Sequence, residues 1–313
     1  MKKLICLPLA LLFLTGCTPV YDGPTAEKSV PVEFLREHHS TVNDHVDTER
    51  TVYAYDIYGN LAQTIEYRND HEIGKTVFTY DDRGNLLTET VYSLGGWFPR
   101  KDRTITYTYD EQDRILCETH DNAFPQKIEY IYDDDARTAT RLEDGETVEV
   151  TAYDESGNIL SVKSFSSDYW HLTEYTRDET GQVLTSHNAT SLGQDITYRM
   201  EYDGHGNVTR LETIENGVRT ERRCTYEYDE QGRLLREFEI IDGTPVETDR
   251  WEYLDENGSY IRWREDFRSY LRRFDDQGNQ IELSHYVNET DQFGIREFTV
   301  YQTIRVPAEE VSP

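Results

Sequence analysis

The residues best equipped for chemistry lie near the C-terminal end of the chain. Arg262, Arg264, Arg268, Arg272 and Arg273 are interleaved with Trp263, Phe267 and Tyr270. Guanidinium forks beside aromatic rings suit an anion or an acidic sugar, held by paired N–H donors and stacking. Arg262, Trp263, Arg264, Arg268 and Arg272 are therefore the candidate binding residues. The rest of the chain competes for them, because 61 Asp and Glu against 32 Lys and Arg give a net charge of -29. Cross-strand pairing with those carboxylates is the alternative role of the arginines. Catalytic signatures are missing: the sequence contains no Gly-x-Ser-x-Gly, no Gly-x-x-x-x-Gly-Lys and no His-Glu-x-x-His. Asp81-Asp82 and Asp133-Asp134-Asp135 offer oxygen ligands for Ca²⁺ but lack the Asp-x-Asp-x-Asp-Gly spacing of a calcium loop. His38, His39 and His45 have neither Cys partners nor a fixed helical spacing. No catalytic residue, metal site or cofactor is expected, and the acidity excludes duplex nucleic acid, whose phosphates need a basic face.

The N-terminus carries an address. Lys2 and Lys3 precede an apolar run from Leu4 to Leu14, too short to cross a hydrocarbon core of about 30 Å as a helix and therefore a secretion signal. The run Leu14-Thr15-Gly16-Cys17 resembles the lipobox of bacterial lipoproteins. The resemblance implies cleavage between Gly16 and Cys17, lipid on Cys17, and stable anchoring of an extracytoplasmic protein in a bacterial cell envelope. Residues 1–16 would be the signal peptide. Residues 17–47, broken by Pro19, Pro24 and Pro31 and without a sustained period, read as a flexible tether holding the body on the order of 30 Å from the lipid. With Cys6 in the signal and Cys17 acylated, Cys117 and Cys224 remain, either as a permitted disulfide or as two free thiols.

The body is a repeat. An aromatic-Asp-x-x-Gly phrase recurs at Asp56-Gly59, Asp81-Gly84, Asp110, Asp133, Asp154-Gly157, Asp178-Gly181, Asp203-Gly206, Asp229-Gly232, Asp255-Gly258 and Asp275-Gly278. Successive Asp positions are 20 to 29 residues apart, about 24 on average. Asp accepts main-chain N–H groups in a turn and Gly supplies a positive φ, so each phrase predicts a hairpin turn. The flanks alternate, as in Thr104-Ile-Thr-Tyr107-Thr-Tyr109, which is the period of a strand. Ten copies predict about twenty antiparallel strands. The 23 tyrosines, in a chain only 36% hydrophobic, become the packing residues of that sheet. Sugar stacking is the other use of such stripes, but glucan-binding repeats carry Gly-Trp in most copies, whereas this chain has only Trp97, Trp170, Trp251 and Trp263, of which Trp97 and Trp170 alone share a phase.

Tyr-Asp-x-x-Gly-Asn/Arg-Leu at this spacing resembles the YD repeat of the Rhs family, over roughly residues 50 to 285. The resemblance implies an all-β sheet of the kind that spirals into a shell around a toxin in that family. No Asp-Pro occurs here, and the family's core segment uses one, which argues against toxin delivery and autoproteolysis. Ten repeats are few for enclosing cargo. The expected fold is an elongated antiparallel meander over residues 48–306, an open, twisted or partly coiled sheet. Residues 295–306 would make its edge strand and 307–313 a tail. The expected function is a non-enzymatic, membrane-anchored scaffold that binds envelope glycans or proteins. A carbohydrate-active enzyme with a site assembled across strands, or an immunity-like partner of an Rhs-type system, are the alternatives.

Overall fold

The computed structural model describes residues 25–39, 45–94, 100–264, 267–286 and 292–307. All regular structure within them is β. The strands are β1 (Thr25–His39), β2 (Val46–Tyr55), β3 (Leu61–Arg68), β4 (His71–Tyr80), β5 (Leu86–Ser93), β6 (Arg100–Tyr109), β7 (Ile115–Asp121), β8 (Gln126–Asp133), β9 (Thr138–Glu143), β10 (Glu146–Tyr153) and β11 (Ile159–Ser166). They continue as β12 (Tyr169–Arg177), β13 (Val183–Thr190), β14 (Asp195–Tyr202), β15 (Val208–Glu215), β16 (Val218–Tyr228), β17 (Leu234–Ile241), β18 (Thr244–Tyr253), β19 (Tyr260–Arg264), β20 (Phe267–Phe274), β21 (Gln280–Tyr286) and β22 (Phe293–Pro307).

Every strand pairs antiparallel with its predecessor and its successor, and β1 also pairs with β22. The sheet is therefore closed and barrel-like. This corrects the expectation of an open or partly coiled sheet. The strand that closes it is β1, which lies inside the segment read from sequence as a tether, so that reading holds for none of residues 25–39. Pro31 and a bulge beside it interrupt β1's alternation, and its partner lies at the far end of the chain. Residues 295–306 do form the last strand, but as an interior member of the ring with neighbours on both sides. The ten turn phrases join β2 to β3, β4 to β5 and so on to β20 and β21, giving the twenty strands expected from sequence plus β1 and β22.

The wall is one layer thick. Only Val30, Ile105, Ile128, Cys224 and Leu271 are fully buried apolar residues among those described, beside ten buried polar ones such as Thr64, Thr76 and Glu212. Stability must come from the ladder and from cross-strand pairs rather than from a two-layer core. Because strands alternate in direction, all ten Asp-x-x-Gly turns lie on one rim. β1 starts and β22 ends on that rim, next to the first turn: a Cβ on Gly59 would come within 2.6 Å of Val306. The thiols of Cys117 and Cys224 are free.

Candidate functional site

The candidate arginines sit on β19 and β20, beside Asp249 of β18. Trp251 faces Arg262, and Arg262 faces Tyr270; residues directly opposite share a face of the sheet. Arg262 Nε donates to Asp249 Oδ1 at 2.8 Å and Arg264 Nε approaches the same oxygen at 3.4 Å. Asp249 is only 5% exposed. The Arg262 guanidinium lies 5.4 Å from the Trp251 ring and 5.6 Å from Tyr270, and Arg272 lies 5.3 Å from Tyr270. Tyr260 packs beside Tyr270 at 6.0 Å, and burial, with help from Tyr270, pushes its phenol up to about 12.

Trp263 and Arg268 point the other way. Trp263 pairs with Arg250 and Arg268 across the ladder, and both guanidiniums stack on its ring, at 4.7 and 5.1 Å. The five candidate residues thus divide between the two faces. Arg262, Arg264 and Arg272 form an arginine-aromatic patch built on Asp249, and Trp263 and Arg268 belong to a separate stack. Side chains alternate across a strand, so the sequence neighbours Arg262 and Trp263 cannot serve one ligand.

The repeat residues have a different job. In the second copy, Asp81 Oδ1 accepts the N–H groups of Arg83 and Asn85 at 2.9 and 2.8 Å, and Oδ2 accepts Asn85 Nδ2 at 3.1 Å. The main chain closes the turn through Gly84 N to Asp81 O at 3.1 Å and Asp81 N to Asn85 O at 2.9 Å. The turns at Asp56, Asp154 and Asp275 repeat the same set. Where Asn is replaced by Arg114 or Arg233, the guanidinium Nε makes the same bond to Asp110 or Asp229, at 2.7 and 2.6 Å. In the third copy Asp113 takes the glycine's place at φ 61°, a conformation Asp tolerates better than most side chains. In these six copies both oxygens of the repeat carboxylate are spent within the turn, and a cation could recruit them only by breaking those bonds; at Asp203 the second oxygen instead accepts from Tyr228 of the next copy. Among the described residues no three His, Cys, Asp or Glu are grouped to hold a metal. Cys17, Gly16 and Trp97 lie outside the described residues.

Sequence reading missed what the tyrosines bond. Tyr80 Oη donates to the Leu61 carbonyl at 2.9 Å, Tyr109 to Leu86 at 2.8 Å, Tyr132 to Ile115 at 3.0 Å and Tyr202 to Val183 at 2.7 Å. Each acceptor is the fifth residue after the Asp of the preceding copy. Burial raises the Tyr80 and Tyr109 phenols above their ordinary range, so they stay protonated as donors. One copy is bolted to the next.

Residues 202–237, which contain two of these phased turns, match the RHS repeat family. The chain carries an RHS repeat. It is also 23% identical to mouse and human teneurin-4 over 232 residues, 69% of this chain and 8% of theirs, so it spans less than a tenth of those relatives. Among solved structures it resembles TcdB2-TccC3-Cdc42, at 18% identity and a TM-score of 0.42 over 83% of this chain and 15% of that one. The Photorhabdus luminescens Tc holotoxin pore is similar at 13% identity and 0.41, over 85% and 16%. Within the Rhs repeat, the Tyr is thus the link between units and the Asp-x-x-Gly the link within one.

Proposed function

We propose that this protein is a membrane-anchored, extracytoplasmic scaffold, non-enzymatic, that holds a β-ring at the cell envelope and binds glycans or proteins there. The observation that supports the reading is the position at which β1 begins. β1 begins on the turn rim at Thr25, eight residues after Cys17. Fully extended, eight residues span at most about 28 Å. Lipid on Cys17 therefore holds the ring by its turn rim and directs the opposite rim away from the membrane. That distal rim carries Phe124, 86% exposed, between β7 and β8, and Leu192, 83% exposed, between β13 and β14. These are the most exposed large apolar side chains among the described residues, which makes them the contacts to remove. The acidic turns would keep the near rim hydrated and off anionic headgroups.

The test is cross-linking and pull-down from intact producing cells, with wild type, Cys17→Ser and a Phe124→Ser/Leu192→Ser double variant. Metabolic labelling with an alkynyl fatty acid should mark wild type and not Cys17→Ser. The double variant should stay labelled and lose the cross-linked partner. A partner retained by the double variant overturns the distal-rim assignment, and an unlabelled wild type overturns the anchor. A glycan array with the purified protein separates sugar from protein partners.

A further inference from the structure

The ring contains ten turns but eleven places for a repeat. In eight of the ten turn hairpins, all but β8–β9 and β18–β19, the strand before the turn meets the strand after it through one bulge. Tyr55 faces Leu61 while Ala54 faces Gln63, leaving Ala62 unpaired; Tyr80 and Leu86 repeat the pattern, as do Tyr109 and Ile115. The β22–β1 seam shows the same arrangement. Tyr301 faces Pro31 while Val300 faces Glu33, leaving Val32 unpaired. Pro31 thus stands at the Leu61 position and Tyr301 at the Tyr55 position. A bulge at the first residue after a turn is one of the few places where a strand accepts proline.

The bonds between units agree. Tyr55 Oη donates to the Pro31 carbonyl at 2.7 Å, as Tyr80 does to Leu61. On the other side, Asn279 Nδ2 of the last turn reaches Ser29 Oγ at 3.3 Å. Where a turn would join Tyr301 to Pro31, the two strands instead run on side by side, from Gln302 opposite Val30 to Pro307 opposite Thr25.

We propose that β22 and β1 are the two halves of an eleventh repeat, split between the ends of the chain, and that their pairing is the clasp that closes the ring. The paired extension from Gln302 to Pro307 takes the place of the missing turn and compensates for the lost covalent link. Thirteen residue pairs hold this seam, against seven at β2–β3 and β4–β5.

Two measurements test the clasp. The first is native-state hydrogen exchange on the full chain. Amides of β1 and β22 from Phe34 to Leu35 and from Phe298 to Thr299 should be protected to within about tenfold of those of the β2–β3 hairpin. Exchange at the seam a hundredfold faster than in β2–β3 overturns the proposal. The second is a circular permutant opened at the Asn216-Gly217 turn, in which Tyr301 is joined to Pro31 by Asp-Glu-Gln-Gly-Asn. A control permutant with the same opening keeps residues 302–307 and 25–30, joined by a Gly-Ser linker. Both should give β-rich circular dichroism with unfolding midpoints within about 5 °C of one another. A folded control beside an unfolded grafted form overturns the split repeat. If both permutants are unfolded, the exchange result decides.

Discussion

The phenol of Tyr109 donates to the main-chain carbonyl of Leu86 at 2.8 Å, across the boundary between two repeats. The same bond is made by Tyr55, Tyr80, Tyr132 and Tyr202, and at those boundaries it ties neighbouring hairpins into one wall. A wall with five buried apolar residues has little else to resist shear between units. Tyr109→Phe keeps the ring in place and removes only the donor, leaving a half-buried carbonyl unpaired. The expected cost is about 1 kcal/mol, read as a lowered urea midpoint at unchanged slope. Tyr58→Phe, on a tyrosine exposed in its turn, should cost nothing measurable. Equal effects from the two variants would remove the phenol from the account of how repeats are joined.

The turn carboxylates make a prediction in pH. The Asn158 side-chain amide, then the main-chain N–H groups of Asn158 and Ser156, hold the Asp154 carboxyl below the usual carboxylate range. Asp275 is held down likewise, first by the Asn279 amide. A depressed folded pKa means stability that is present above the unfolded pKa, near 4, and is lost as pH falls through the folded value. The clean comparison is wild type against Asp154→Asn, because relief of the chain's overall negative charge in acid affects both alike. Wild type should be the more stable at pH 7, and the gap should narrow below pH 4. A gap that stays constant from pH 7 to pH 2 would show that ionisation of Asp154 contributes nothing.

The turns and the tyrosine phase were legible in the sequence because both are local. Asp, Gly and a period of two act within seven residues, and that is enough to place twenty strands. The closure was not legible, since β1 pairs with a strand some 270 residues away and Pro31 with the Val32 bulge hides its alternation. The division of the arginine cluster was partly readable. Arg262, Trp263 and Arg264 lie in one strand, and alternation alone puts the tryptophan opposite to its neighbours. The side taken by Arg268 was not readable, because the ladder shifts register between Arg262 and Trp263 where they meet β20. The Asp249 anchor of Arg262 and Arg264 lies in a different strand, 13 and 15 residues away, with no motif to mark it.

Glu212 is the most enclosed acid of a charge network on β14, β15 and β16. It is 5% exposed and is surrounded by Arg219 at 3.1 Å, Arg210 at 3.5 Å and Arg199 at 3.7 Å. Arg210 and Arg219 also share Glu221, whose carboxyl is pulled down to about 2, first by its hydrogen bond from Arg223 and then by Arg210. Glu212→Ala leaves three guanidiniums facing each other with one acid fewer. Since two of the three are half exposed, water offsets part of the loss, and the expected cost is roughly 1–3 kcal/mol in thermal or urea unfolding. Arg199→Ala should cost well under half of that, because two cations remain. A Glu212→Ala protein as stable as wild type would reduce the network to surface decoration.

Gly59 and Gly84 occupy the same turn position at nearly the same backbone angle, φ 80° and 87°. They differ in surroundings. An added Cβ at Gly84 meets nothing within 4 Å, whereas at Gly59 it falls 2.6 Å from Val306 of the closing strand. Gly84→Ala should therefore cost only the left-handed backbone penalty, about 1–2 kcal/mol. Gly59→Ala should cost that and the clash, with the excess appearing as faster hydrogen exchange along β22. Val306→Ala removes the opposing methyl, so in that background the two glycine substitutions should become equal. If Gly59→Ala and Gly84→Ala match in the wild-type background as well, Val306 does not press on the first turn, and the contact between the chain's C-terminal strand and its first repeat is lost as a source of stability.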